Sequence, residues 1–116
     1  MKISEIKNLL DAKVMTGENI LDHEVASACC SDMMSDVLAY VKDQGVLITG
    51  LVNPQVIRTA NMMDMVCIVF ARNKQPTDEM IELAEESGIV IMCTAKRAFE
   101  ASGILYLAGL SRNAED

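Results

Sequence analysis

Four basic side chains fall in two short stretches of a chain that is otherwise acidic. Arg72 and Lys74 form the first stretch, and Lys96 and Arg97 form the second. The whole chain has 10 Lys and Arg against 17 Asp and Glu, a net charge of −7. Guanidinium and ammonium groups bind phosphate and carboxylate groups strongly. The two stretches therefore predict a site for a small anionic ligand such as a nucleotide, with ordinary solvated surface charge as the alternative.

Short polar residues accompany the basic ones wherever an apolar run ends. Their hydroxyl, amide and carboxylate groups can hydrogen-bond a ligand directly. Thr49-Gly50 does not form a P-loop, because it lacks both the Gly-rich repeat and the Lys-Ser/Thr pair. The candidate ligand-binding residues are Ser31, Asp32, Thr49, Asn53, Arg72, Asn73, Thr94, Lys96 and Arg97.

Catalytic chemistry is not indicated by the remaining polar residues. The single histidine, His23, lies between Asp22 and Glu24, and no nucleophile is spaced to work with it. Asp32 and Asp36 could together bind a cation. However, acidic residues near a helix start are commonly there because they interact favourably with the positive end of the helix dipole. We therefore expect no enzyme activity, no catalytic residue and no cofactor.

The four cysteines do not form a metal-binding or disulfide pattern. None is part of the CxxC pair that is typical of zinc and iron–sulfur sites. In the cytoplasm such thiols stay reduced and pack as small apolar side chains. A small redox or metal protein that uses these residues remains an alternative: Cys29, Cys30, Cys67 and Cys93.

Three continuous apolar runs predict the elements that would position the candidate site. They cover residues 45–50, 65–70 and 88–94, and they do not alternate with polar residues. Such runs are typical of parallel strands that are covered on both faces. Helices that begin after Asn53 and Thr77 separate them. The predicted fold is α/β, a three-layer α/β/α arrangement with a mainly parallel central sheet.

The carboxyl ends of parallel strands meet at one edge of a sheet, where α/β proteins place their ligands. The residues that follow the three apolar runs should therefore lie together at that edge. This prediction concerns Thr49, Asn53, Asn73 and Thr94.

The first third of the chain predicts further elements. Ser4 is the expected N-cap of a helix that ends near Ala12, and Gly17 stops a short strand at 13–16. The small residues of 24–30 suggest a strand in the interior of the sheet. Ser31 is the expected N-cap of the following helix, which Gln44-Gly45 should end.

The last helix follows Thr94 and is expected to end at Gly109. Its apolar surface comes from Phe99, Ile104, Leu105 and Leu107.

Length and composition indicate one domain at residues 1–110 and a polar tail at 111–116. The 116-residue chain is 51% hydrophobic but only 3% aromatic, so its core must be aliphatic. The negative charge argues against nucleic acid and anionic membranes as partners. Neither a signal-peptide core nor an apolar run of transmembrane length occurs in the sequence. We expect a cytoplasmic protein.

A family resemblance is carried by six stretches of the sequence, at residues 14–18, 21–22, 30–39, 46–49, 65–70 and 88–94. Through them the chain resembles the DRTGG domain family over nearly its whole length. The family name refers to an Asp-Arg-Thr-Gly-Gly stretch, which does not occur contiguously here; the nearest stretch is residues 22–27. The resemblance implies an α/β/α fold related to the N-terminal domain of HPr kinase/phosphorylase. It also implies a dimer and a regulatory or ligand-sensing role.

Three functional hypotheses follow from these observations. The first is a non-enzymatic regulatory module, dimeric and able to bind a small anion. The second is a protein-interaction or scaffold subunit that has no ligand and would bind a regulatory protein partner. The third is the cysteine-dependent protein described above. The helix at 32–41 is the expected dimer interface, because its apolar residues extend beyond one stripe: Met33, Met34, Leu38 and Tyr40.

Overall fold

The computed structural model describes residues 1–40 and 45–110. The strands in these ranges are β1 Lys13–Thr16, β2 Ser27–Cys30, β3 Gly45–Thr49, β4 Cys67–Phe70 and β5 Val90–Cys93. The α-helices are α1 Ile3–Leu9, α2 Met34–Tyr40, α3 Pro54–Met62, α4 Asp78–Ser87 and α5 Ala98–Leu107, with a 3₁₀ turn at Glu18–Ile20. Among the helices of the described ranges, none is long and apolar enough to cross a membrane.

The five strands form one sheet in the order β1-β5-β4-β3-β2. The four strands from β2 to β5 are parallel, and β1 is antiparallel to β5 at the edge. β3, β4 and β5 each follow an α-helix that returns the chain to the amino-terminal edge of the sheet. The prediction of a mainly parallel central sheet is confirmed.

Helices cover both faces of the sheet. α1 and α5 pack on one face, and α2, α3 and α4 pack on the other. Successive residues of β3 point alternately into the two cores: Val46 and Ile48 into the first, Leu47 into the second. All five residues of β3 are buried. This two-sided burial explains why the strands are continuously apolar and confirms the three-layer fold.

The two central helices begin where the sequence predicts. The Asn53 side chain accepts a hydrogen bond from the backbone N–H of Gln55, at 2.8 Å, and Pro54 follows it. The Thr77 side chain accepts one from the N–H of Met80, at 3.3 Å. α4 ends at Gly88, whose φ of 70° is the left-handed conformation that glycine adopts without strain.

Two predicted helix caps are wrong. Ser4 lies inside α1, which begins one residue earlier and has Lys2 as its N-cap, because the backbone N–H of Lys2 bonds the Glu5 carboxylate. Ser31 does not cap α2: the carbonyl of Met33 accepts from the first turn, and the Ser31 hydroxyl bonds the Met33 N–H instead. Ser4 lies in the first turn of its helix, and Ser31 bonds the backbone nearby. A serine in the sequence was therefore not enough to locate the start of either helix. The predicted end of α2 lies outside the described residues.

The strand of small residues is shorter than predicted, and it is an edge strand, not an interior one. β2 begins only at Ser27, because Val25 instead bonds the carbonyl of Met1 and Glu24 forms an isolated bridge with Lys2. The small residues instead serve a close approach between β2 and β3. A Cβ on Gly45 would lie only 2.5 Å from the Ser27 hydroxyl oxygen.

Candidate anionic-ligand site

The parallel strands bring their polar ends to one edge of the sheet. The N–H of Ala71 donates to the carbonyl of Thr49 at 3.0 Å, and the N–H of Asn73 donates to the carbonyl of Thr94 at 2.8 Å. These bonds join the segments that follow β3, β4 and β5. The prediction that Thr49, Asn73 and Thr94 share an edge is confirmed, and Asn53 follows Thr49 there as the cap of α3.

The turn after β4 has an unusual backbone. Arg72 and Asn73 have φ values of 57° and 55°, and the N–H of Lys74 donates to the carbonyl of Ala71 at 3.2 Å. Two central residues with positive φ are the pattern of a type I′ turn, which favours Asn and Gly. Asn73 suits it, but arginine rarely adopts this conformation. Such strained residues cluster at functional sites, so the turn directs attention to Arg72.

The turn is fixed to the loop after β5, and this contact gathers the basic residues. The N–H of Arg72 donates to the carbonyl of Lys96 at 2.9 Å. Lys74 follows in the same turn, and Arg97 is the N-cap of α5 with no side-chain cap bond. The side chains of Arg72, Lys74 and Arg97 are exposed, and that of Lys96 is half-buried. The two basic stretches of the sequence therefore form one cluster.

A further basic residue at this edge was missed by sequence analysis. Lys13 begins β1 and pairs with Cys93 at the end of β5, because β1 runs antiparallel to the other strands. Burial raises the pKa of the Cys93 thiol, and the positive charge of Lys13 offsets a smaller part of that rise. Only the position of β1 in the sheet order reveals this neighbour, and no local signal in the sequence encodes that order.

Asp32 contributes a carboxylate to the same edge. Its Oδ1 accepts from the Thr49 hydroxyl at 2.9 Å and from the Gly50 N–H at 2.8 Å. Within the described chain, Oδ2 makes no hydrogen bond. A Cβ on Gly50 would lie 3.8 Å from this carboxylate and 4.0 Å from the Arg72 guanidinium. The Asp32 carboxylate and the Arg72 guanidinium therefore both lie near Gly50.

Several predicted site residues are occupied by bonds within the chain. The Thr94 hydroxyl is buried and donates to the carbonyl of Leu10 at 2.7 Å, and the buried Thr49 hydroxyl donates to Asp32. Asn53 caps α3, and Ser31 bonds the Met33 N–H. The bonds of these four residues hold the loops in place; Thr49 and Thr94 are buried, Ser31 is half-buried and Asn53 is exposed. The surface of the candidate site consists of Asp32, Arg72, Asn73, Lys74, Lys96 and Arg97, together with Lys13.

The other candidate groups do not join this cluster. His23 is exposed beside the start of α1, where its carbonyl accepts the Ile3 N–H. Asp36 is exposed in the first turn of α2, and no group of three or more metal-binding side chains occurs in the described residues. All four cysteines are free thiols. Burial raises the pKa of the Cys67 thiol to about 12, so this thiol is not a nucleophile at neutral pH.

Two cavities of the described chain lie away from the basic cluster. One, of 140 Å³, lies between α5 and the β2–β3 pair and is lined by Cys30, Ser102 and Tyr106 among others. The buried hydroxyl of Ser102 has no hydrogen-bond partner. The other, of 200 Å³, lies between Gly17 and the end of α4. The candidate site is thus an open surface of loop residues and not a deep pocket.

Comparison with known proteins places the chain in a family. A model of the DRTGG domain matches residues 5–108. A solved structure of similar fold is the CBS and DRTGG regulatory region of Clostridium perfringens pyrophosphatase, in complex with its activator diadenosine tetraphosphate. Its TM-score is 0.72 at 16% sequence identity, over 98% of this chain and 48% of the other. The chain thus spans about half of that region, and no curated protein matches it.

Proposed function

The chain belongs to the DRTGG domain family, and we propose that it is a regulatory module without catalytic activity that binds a small anionic ligand. The ligand lies at the sheet edge where β3, β4 and β5 end. The observation that carries this proposal is the strained turn at Arg72. Its backbone bond to Lys96 gathers the basic residues of an acidic chain at one place.

A nucleotide fits this edge better than a simple phosphate does. Arg72, Lys96 and Arg97 supply positive charge for phosphate groups, and Arg can bind them in bidentate fashion. Asp32 has a carboxylate oxygen free to accept a hydrogen bond from a hydroxyl or amino group. A ligand that joins phosphate to a donor-bearing nucleoside would use both features. The pyrophosphatase regulatory region of similar fold was solved with a dinucleotide activator, which supports the same ligand class.

The proposed module comprises residues 1–110, acts in the cytoplasm and self-associates as a homodimer. Four free thiols support a reducing compartment. The family resemblance and the high apolar content support self-association. In the region of the expected interface, Met33 before α2 and Leu38 on α2 are exposed, at 61% and 41%, whereas Met34 is buried in the core.

Titration by calorimetry or NMR tests ligand binding directly. AMP, ATP, diadenosine tetraphosphate and inorganic phosphate are each added to the purified chain up to millimolar concentration. We expect a nucleotide to bind and to shift the amide signals of residues 71–74 and 94–97. Phosphate should bind more weakly, because it leaves Asp32 without a donor.

The matched control removes equal charge elsewhere. The double variant Arg72→Ala, Arg97→Ala should weaken nucleotide binding at least about tenfold. The double variant Lys2→Ala, Arg58→Ala removes two exposed cations, Lys2 at the opposite edge of the sheet and Arg58 on α3. This variant should bind the nucleotide as the wild type does. Equal binding by both variants, or no binding at millimolar nucleotide, would reject the site.

A second candidate function is an interaction module without a ligand. The observation that favours it is the exposed apolar face of α5, where Phe99 is 92% exposed. Large exposed apolar patches mark protein-binding surfaces.

A further inference from the structure

α5 is apolar on both of its faces, although only one face packs on the sheet. Ala101 and Leu105 are buried in the core. Phe99, Tyr106 and Leu107 point outward and are 92%, 71% and 88% exposed. A helix that is apolar on all sides is normally buried on all sides. The outer face of α5 therefore lacks a covering partner within the described chain.

Gly103 lies at the centre of this outer face. A Cβ at this position would meet no atom within 4 Å, so nothing in the described chain requires a glycine there. Glycine in the middle of a helix lowers helix stability, because it loses more backbone freedom on folding than other residues do. A second backbone that approaches closely at Gly103 would explain the residue, since a long side chain would keep it away.

We propose that the partner is a second copy of this chain, with the two α5 helices antiparallel and crossing at Gly103. A two-fold axis through Gly103 places residues at equal distances before and after it opposite each other. Phe99 then packs on Leu107 of the partner subunit, four residues to either side. Glu100 meets Tyr106 of the partner subunit, three residues to either side. The face is self-complementary, as a two-fold interface requires.

The charges of α5 agree with this pairing. Glu100 is the one charged residue among the ten of α5. In the antiparallel pair it lies opposite a phenol, which can donate a hydrogen bond to the carboxylate, and not opposite another acid. An uncharged contact face also limits repulsion between two chains of net charge −7.

The area of the face is sufficient for a specific dimer. An aromatic side chain buries about 150–250 Å², so Phe99 and Tyr106 of two copies supply roughly 600 Å² or more. Leu107, Glu100 and the backbone at Gly103 add to this on each side. The total reaches the roughly 1,000 Å² that distinguishes specific interfaces from incidental contacts.

This inference rests on the self-association included in the proposed function and moves the interface from α2 to α5. Met33 just before α2 and Leu38 on α2 are less exposed than Phe99 and Leu107 on α5. The symmetric arrangement around a central glycine is a property of α5. Ligand binding at the basic cluster is independent of this inference.

Sedimentation velocity of the full chain at micromolar concentration tests the interface. We expect the wild type to sediment as a dimer. Gly103→Gln should yield a folded monomer, because glutamine favours the helix and fits the open space but holds the second helix away. Phe99→Glu should weaken the dimer at least about tenfold. The matched control Met33→Glu, on the surface before α2, should remain a dimer.

The outcomes separate the possibilities. A dimer that Met33→Glu dissociates and Gly103→Gln leaves intact would overturn the α5 interface and keep self-association. A monomeric wild type would overturn both the α5 interface and self-association. Ligand binding would still be tested separately by the nucleotide titration. Circular dichroism of each variant confirms that the fold is intact.

Crosslinking provides a positive test that does not depend on loss of association. In a Cys30→Ser background, Gly103→Cys places two thiols at the two-fold axis, where they can form a disulfide within the required Cα distance. Mild oxidation should give a covalent dimer. Ser87→Cys in the same background, at the exposed end of α4, should stay uncrosslinked. Absence of the Gly103→Cys crosslink in a dimeric protein would overturn the proposed geometry.

Discussion

Arg72 combines charge and backbone strain at the candidate site. Its φ of 57° is costly for arginine, and its N–H bond to the carbonyl of Lys96 holds that conformation. A left-handed non-glycine residue costs roughly 1–2 kcal/mol. Asn73 beside it tolerates the same conformation at lower cost. If stability alone governed this turn, glycine would suit position 72 better, so the guanidinium is the feature to explain.

Two substitutions at Arg72 separate its charge from its strain. Arg72→Ala and Arg72→Gly both remove the guanidinium and should weaken nucleotide binding equally. Arg72→Gly also relieves the strain, so it should be more stable than Arg72→Ala by about 1 kcal/mol. Urea denaturation measures the difference. Equal stability of the two variants would mean that the backbone at Arg72 is not strained.

At the scale of elements, some helix ends could be predicted from sequence and others could not. The helix starts predicted at Asn53 and Thr77 are correct, because the residues that follow also favour a helix start. Pro54 follows Asn53, and two acidic residues follow Thr77. The cap predicted at Ser31 is wrong because its hydroxyl bonds the nearby backbone of Met33 without capping the helix. The cap predicted at Ser4 is wrong because α1 begins before it, with Lys2 as the N-cap. The lesson is that a cap residue predicts a boundary only when the next residues agree with it.

The caps of α4 give a prediction at this scale. Thr77→Ala removes the hydroxyl that accepts the Met80 N–H and should cost about 1 kcal/mol. Gly88→Ala should cost about as much, because alanine at φ 70° is strained although the space is open. Thermal or urea unfolding measures both. Ser87→Ala, exposed in the last turn of the same helix, is the control and should change stability little; an equal loss there would contradict the capping argument.

The sheet edge shows where sequence reasoning reaches its limit. Continuous apolar runs predicted the parallel strands, and parallel strands predicted that Thr49, Asn73 and Thr94 share an edge. No local pattern indicated that the Thr94 hydroxyl would point inward and bond the carbonyl of Leu10, because that contact depends on how α1 packs. Lys13 lies at the same edge because β1 pairs antiparallel with β5, which places the start of β1 beside the end of β5. Strand order and inward rotation are tertiary properties, and local patterns do not encode them.

The whole molecule joins two surfaces of opposite character. The basic cluster lies at the carboxyl edge of the sheet, and the apolar face lies on the outside of α5. The chain around both carries a net charge of −7. Long-range repulsion therefore opposes the approach of an anion and of a second copy alike. At short range the two contacts differ: the anion would form ion pairs, and the second copy would pack through apolar side chains.

Salt should affect the two equilibria in opposite directions. The Debye length falls from about 30 Å at 0.01 M to about 8 Å at 0.15 M, so added salt screens the repulsion between two acidic chains. Apolar packing at Phe99 and Leu107 is not weakened by that screening. The dimer should therefore tighten by about threefold or more over this range. Nucleotide binding should weaken over the same range, because its ion pairs are exposed.

Sedimentation and calorimetry at 0.01, 0.05 and 0.15 M sodium chloride measure the two effects on the same protein. The control variant Glu85→Gln, Glu86→Gln lowers the net charge from −7 to −5 through two exposed residues of α4, in the layer opposite α5. It should dimerise more tightly at low salt and respond less to added salt. A dimer that weakens as salt increases would be held by ion pairs, and the apolar α5 interface would then be wrong.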